Sequence, residues 1–310
     1  MKYSLLLKSS LAFFMLSTFV TTNYSNAQGC SDAGVCSIGP MTHNEISEDD
    51  PSKGEIRFKP SYSLGEKQTS IIGLQVEADY NINDKVYFQF LMPYVISTGE
   101  LGTATGLGDI TLSLSVPVYK NDKVRTTIFA GTKIPLNDGN VMDNGVALPM
   151  AYQPSLGTFD LLGGVAVNVD HFLFSVGYQQ PLTQNSSTYI SNDPDPDAKF
   201  KTTTGYERAA DMAIRAEYAK ANFEKWSWKA GLLGIVHMGE DSYIDTEDNN
   251  QRKNIENSSG LTLNITGGIS RTVGKYTFGS DLGFPVMARE ARPDGLTRTF
   301  ALSMYVGWKF

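Results

Sequence analysis

The sequence predicts an all-β protein, a transmembrane antiparallel up-and-down β-barrel of about twelve strands. Three observations carry the prediction: a period-two alternation running from Gly54 to Phe310, short turns that alternate with long connections, and aromatic residues gathered near strand ends. Strand side chains point to opposite faces with period two, so sustained alternation means that one face meets an apolar medium and the other does not.

The first segment is not part of that pattern. Lys2 and Lys8 precede an uncharged apolar run from Ser9 to Thr22, and the small residue Ala27 ends the stretch before Gln28. A basic start, a short apolar run and a small-residue exit mark a secretory signal peptide, here residues 1–27. The run falls short of the roughly 20 apolar residues a membrane helix needs. Its removal takes two basic residues and no acid, moving the net charge from −7 to near −9. An acidic chain offers no electrostatic footprint for nucleic acid.

Residues 28–53 read as a periplasmic N-terminal extension, rich in Gly, Ser, Asp and Glu and without a period, either tucked into the barrel mouth or a disordered leader without a role of its own. Its two cysteines, Cys30 and Cys36, are the whole complement of the chain. In an oxidising periplasm such a pair is read as a small disulfide loop. A lipid anchor on Cys30 is the alternative, although Ala27 stands where the usual leucine would be. No metal site is expected, since only His43 lies nearby as a further ligand.

The barrel itself occupies residues 54–310. Strands are expected near 54–65, 71–81, 85–95, 108–119, 123–134 and 156–168, then near 171–182, 209–221, 224–238, 261–272, 275–287 and 298–310. In one of them Ile72, Leu74, Val76, Ala78 and Tyr80 oppose Gln75, Glu77 and Asp79; in the last, Phe300, Leu302, Met304, Val306, Trp308 and Phe310 oppose Ser303, Tyr305 and Lys309. These lengths suit a tilted membrane crossing of about 9–11 residues better than the 5–6 of ordinary globular strands. Short links carry Asn, Asp and Gly, the turn formers, while the longer connections fall at 66–70, 96–107, 135–155, 183–208, 239–260 and 288–297. That layout places the short turns in the periplasm of a bacterial outer membrane and the long loops outside. Tyr80, Phe88, Tyr119, Phe172, Trp226, Trp228, Tyr276 and Trp308 sit near the short-turn ends, and Tyr94, Tyr178, Phe284 and Phe300 near the others. Two such girdles mark the two membrane interfaces.

By phase, Arg57, Lys59, Glu77, Asp79, Arg125, Lys133, Asp160, Arg215, Glu217, Lys229, Asp281 and Lys309 face inward. Charges of both signs fit either a hydrated path or a salt-bridged, closed interior, and both readings stay open. No cofactor is expected. The loop with Asp245, Glu247, Asn249 and Glu256 has Asn250 where a calcium loop needs glycine. A lipid hydrolase would need His171 or His237 to converge with a serine and an orienting group, and no such trio is visible.

Three stretches carry a family resemblance. Gly106-Leu107-Gly108-Asp109 leads into a strand, Gly131-Thr132-Lys133-Ile134-Pro135 ends the next, and Gly157-Thr158-Phe159-Asp160-Leu161 opens the one after. In that order, with Leu91-Met92-Pro93-Tyr94-Val95 before them, they resemble the outer-membrane proteins grouped as the "MetA-pathway of phenol degradation" family and its transporter relatives. The match covers residues 56–180. It implies a twelve-stranded barrel passing small, often hydrophobic or aromatic, molecules. The terminal Phe310 also resembles the C-terminal signal read by the outer-membrane assembly machinery. The expectation is therefore a passive channel for small solutes, surrounded by lipid and lipopolysaccharide; the rival is an interaction barrel that uses its long loops.

Overall fold

The computed structural model describes residues 27–28, 37, 39–41, 52–65, 69–83, 85–192, 200–221, 226–295 and 297–310. Cys30, Cys36, His43, most of the leader and the Asp193–Asp197 run lie outside them.

Twelve long strands form a closed antiparallel ring. In chain order they are β1 (Gly54–Gly65), β2 (Ser70–Asn83), β3 (Val86–Gly99), β4 (Ile110–Lys120), β5 (Val124–Ile134), β6 (Asp160–Val169), β7 (Phe172–Pro181), β8 (Asp211–Ala221), β9 (Trp226–His237), β10 (Gly260–Val273), β11 (Tyr276–Met287) and β12 (Thr297–Lys309). Each pairs with its neighbours in sequence, and β12 pairs back onto β1 through Lys309↔Glu55, Trp308↔Ile56 and Phe58↔Val306. Closure leaves no strand edge unpaired in the hydrocarbon region.

The short turns are built by their own side chains. Asn83 Oδ1 accepts from the amides of Lys85 (2.8 Å) and Val86 (2.9 Å), and Asn121 does the same for Lys123 (2.9 Å) and Val124 (2.7 Å). Asp170 and Gly274 supply the positive φ of two further turns, 51° and 60°. On the outer surface Ile72, Leu114, Val118, Ile128, Phe174, Ile214, Leu232, Ile269 and Val306 are exposed all round the ring. A continuous apolar belt of this extent is tolerated only against lipid. The seam ends on Phe310, which faces outward, stacks on Tyr80 at 6.5 Å and packs on Trp308 at 5.4 Å. Its carbonyl accepts from the amides of Lys53 (2.7 Å) and Gly54 (3.2 Å).

Two expected boundaries change. Residues 96–107 are not a loop: β3 runs on to Gly99 and pairs with Gly102–Leu107 around a tight turn. Ile96, Thr98, Thr103 and Thr105 are β-branched and keep both arms extended. Conversely, β6 begins at Asp160 rather than 156, because Gly157 at φ 69° breaks the extended run. A side chain at Gly157 would also press within 2.5 Å of the Asp138 backbone, so this position is closed to other residues.

The long connections fold inward over one mouth. One carries a short hairpin, Ser242–Asp245 with Gln251–Asn254, and another a single 3-10 turn, Met150–Tyr152. A second 3-10 turn, Gly39–Met41, lies inside the barrel itself.

Candidate permeation path and its closures

The register of the strands brings the inward charges together on one side of the lumen. β1 and β2 pair Glu55 with Asp79 and Arg57 with Glu77. The Arg57 guanidinium therefore reaches Glu55 (2.7 Å), Asp79 (3.2 Å) and Glu77 (3.3 Å). Over the intervening strand β12, Lys59 Nζ meets Asp281 at 2.9 Å, and over β10 Lys229 meets the same carboxylate at 3.2 Å. Between Lys229 and Asp281 stands Gly268, paired with both, where a Cβ would lie 2.7 Å from the lysine Cε and 2.6 Å from the carboxylate. Gly268→Val is expected to push that pair apart and loosen this wall. The readout is a lowered thermal midpoint of the refolded barrel by circular dichroism, with Gly283→Val, whose Cβ position is open, as the neutral control.

These groups surround a cavity of about 220 Å³, lined by Arg57, Lys59, Glu77, Arg215, Glu217, Lys229, Asp281 and Lys309 together with hydroxyls such as Thr266 and Ser303. It is smaller than a typical drug-sized pocket of about 300–1,000 Å³ but roomy for water. The other inward candidates lie elsewhere. Arg125 is at the short-turn end of β5, paired in register with Lys120 and Asn168. Lys133 forms a separate ion pair with Asp109 at 2.8 Å, and Asp160 belongs to the loop network described below.

Half-way along the lumen the polar wall gives way to an apolar shelf of Phe129, Leu162, Ala213, Leu233 and Ile235, on which Met41 is seated with no exposed surface. The turn that carries Met41 is tied to the wall by Gly39 N–H donating to Gln89 Oε1 at 2.7 Å, while Gln89 Nε2 donates to Asp79 at 2.9 Å. Residues 39–41 thus lie within the lumen. The shelf left a trace in the sequence: the doublets Ile128-Phe129, Leu161-Leu162 and Leu232-Leu233 put an apolar residue on each face where alternation calls for one.

The long-loop mouth is closed by a second, denser network. Arg208 stands beside Asp160 (3.9 Å), Asp294 (3.7 Å) and Asp211, with which it pairs directly. Arg289 pairs with Asp294, lies 4.0 Å from Asp241, and donates to the Ser258 carbonyl at 2.7 Å. His237 faces Asp211 through Nδ1 at 2.6 Å and Asp241 through Nε2 at 2.7 Å. A ring with an acceptor on each nitrogen donates to both only when doubly protonated. Tyr206 donates to Asp241 at 2.7 Å, and Gln179 to Asp160 at 2.5 Å. Every one of these side chains is buried.

Burial alone would raise the Asp294 carboxyl, but Arg289 and Arg208 outweigh it and hold the group below its ordinary range. Burial, reinforced by the neighbouring Asp241, holds the Tyr206 phenol well above its ordinary value and keeps it a neutral donor. The network ties three loops (182–210, 238–259 and 288–296) to β6, β8 and β9. The glycine-rich motifs serve a neighbouring tie: Asp109 accepts from Ser155 Oγ and from Leu156 N at 3.3 Å, so it anchors the loop that ends at Gly157.

Periodicity could not have found Arg208, Asp241, Arg289 or Asp294, which lie in loops. His237, for which the sequence offers no catalytic trio, has a carboxylate on each ring nitrogen and none left to take a proton from a serine. His171 sits exposed at a turn, edge-on to Tyr218 at 5.7 Å. In the acidic loop that carries Asp245 and Glu247, Lys253 occupies the acids, at 2.9 Å from Asp245 and 2.7 Å from Asp248.

No family model and no curated protein sequence matches this chain. Solved structures do. An outer-membrane channel from Pseudomonas putida F1 superposes with a TM-score of 0.59 at 15% identity, over 87% of this chain and 100% of that one. The fold is that of the outer-membrane β-barrels. The NanC porin also matches, with a TM-score of 0.48 at 9% identity over 82% of this chain and 98% of its own. So does the translocator domain of the autotransporter NalP from Neisseria meningitidis, with a TM-score of 0.42 at 8% identity, over 85% and 90%.

Proposed function

We propose that this barrel is a passive outer-membrane channel for small solutes, shut at rest by Met41 on its shelf and by the buried loop network. The observation that carries this reading is the polar cavity, which is lined from Glu55 and Lys309 at the short-turn end to Asn264 and Arg298 toward the long-loop end. Charges of both signs in pairs give it no strong ion selectivity. The apolar shelf supports passage of solutes that carry an apolar group, and the resemblance to the phenol-pathway family supports hydrophobic or aromatic ones. On the same reading, residues 1–27 are the export leader, 28–53 an N-terminal extension, Phe310 the feature handed to the assembly machinery, and lipopolysaccharide the neighbour of the long loops.

The test is single-channel recording in planar bilayers with swelling of solute-loaded liposomes. Small, infrequent openings in the intact protein, with swelling that falls as solute size grows, are the expected result. A folded barrel that passes neither ions nor solutes, even with both closures removed, would sink the reading.

A further inference from the structure

On the outer surface at the short-turn end, cations and tryptophans are concentrated on one side of the ring. Lys220 of β8 is the register partner of Trp228 of β9, and Trp226 of β9 is the partner of Arg271 of β10. The Arg271 guanidinium lies 5.2 Å from the Trp226 ring, and Trp228 packs on Tyr218 at 5.3 Å. The next turn adds Lys275, and all three cations are exposed. Outward phase on these strands is set by Ile214, Leu232 and Ile269, which are exposed to the lipid side. No acidic side chain shares that phase among the described residues of β8, β9 or β10. The nearby acids, Glu217 and Asp281, point into the lumen and pair with Arg215, Lys59 and Lys229. The connection 222–225 holds one acid and one base, which cancel.

The rest of this rim differs. Lys85 follows Asp84, and at the β4–β5 turn Lys120, Lys123 and Arg125 stand around Asp122 with no tryptophan among them. The pairing of exposed cations with tryptophans thus lies on the β8–β10 side, although the chain as a whole is acidic.

We infer that Lys220, Trp226, Trp228, Arg271 and Lys275 form a binding surface for the phosphate headgroup of an anionic phospholipid in the periplasmic leaflet. This rests on the outer-membrane placement and not on transport. Neighbouring strands lie about 4.8 Å apart and rise about 3.4 Å per residue, so Lys220 and Arg271, two strands and two register positions from each other, stand roughly 12 Å apart at the backbone, within reach of one headgroup for two long side chains. Indole rings settle at headgroup depth and hold the acyl boundary there. An arginine stacked on such a ring keeps its outer N–H groups free in geometry to fork onto phosphate oxygens. A basic residue near an anionic leaflet contributes roughly a fivefold enrichment each.

The experiment uses the full barrel with Trp308→Phe, so that emission reports Trp226 and Trp228. It is folded into phosphatidylcholine vesicles containing a small fraction of brominated phosphatidylglycerol or, separately, brominated phosphatidylcholine. Several-fold stronger quenching by the anionic lipid is expected, falling to parity in Lys220→Gln/Arg271→Gln and in about 0.5 M salt. Lys85→Gln/Lys123→Gln should keep the preference. Equal quenching by both lipids in the parent overturns the proposal, as it would if the surface instead met an acidic protein. Equal loss in the two double variants also overturns it, by showing only a general charge effect. Should Lys220→Gln/Arg271→Gln not fold, Lys220→Gln alone carries the same comparison.

Discussion

Arg208→Met is expected to open the long-loop mouth and raise conductance several-fold. Arg208 stands among Asp160, Asp211 and Asp294 in a site sealed from water. Removing it leaves three carboxylates buried with too little positive charge, and losing one partner of a buried pair costs about 3–5 kcal/mol. The twelve-stranded ring does not depend on this site, so the loops release before the strands do. The expected signature is split: more frequent openings in bilayers, still limited by Met41 on its shelf, together with a barrel midpoint that falls only modestly. A variant with unchanged openings would show that the network is not a closure.

Acid should act in the same direction. Asp294 is held low in the closed state, so its contribution is present above the ordinary value of about 3.9 and lost as pH falls through the lowered one. Tyr206 is raised, so its contribution is present below about 10 and lost as pH rises through the raised value. His237, Asp160, Asp211, Asp241, Arg208 and Arg289 share the site. Conductance is therefore expected to increase below about pH 4, with that acid limb absent in Arg208→Met because the closure is already gone.

The second large effect is expected from Met41→Asp. Met41 contributes apolar area to Phe129, Leu162, Ala213, Leu233 and Ile235, and full burial of such a side chain is worth about 1.5–3 kcal/mol. A carboxylate in that seat has no partner and costs more than the contact returns. The turn should leave the shelf while the ring keeps its midpoint, since residues 39–41 belong to no barrel strand. A double variant with Arg208→Met separates two closures in series from one. In series, either single change gives a partial gain and the pair gives far more than the sum.

How much of this was legible in the sequence depends on what encodes each part. The ring was legible because lipid on one face and water on the other impose a two-residue period, and Asn83, Asn121, Asp170 and Gly274 mark the turns. The inward phase of Arg57, Glu77, Lys229 and Asp281 could be read, but not their partners. Those depend on register and on Gly268, whose lack of a side chain lets a lysine and a carboxylate meet. The long-loop network was hidden, because Arg208, Asp241, Arg289 and Asp294 follow no period and are joined only when loops far apart in sequence fold over one mouth. Met41 was hidden for a related reason: a single methionine in a polar stretch gives no sign of the shelf it fills.

The seam has a consequence for how the molecule comes into being. Phe310 supplies the carbonyl that Lys53 and Gly54 need, and Arg298 reaches back to Ser63 across 235 residues of chain. The first strand therefore has an unmatched edge for as long as the last one is unsynthesised. A contact of such sequence separation is slow to form and cannot be sampled by a partial chain. The ring is thus sealed only by a complete polypeptide, and a product truncated within β12 stays open along one side. Such a product would expose a ready template for pairing with another chain, so its fate in the periplasm is aggregation or proteolysis rather than insertion as a leaky barrel.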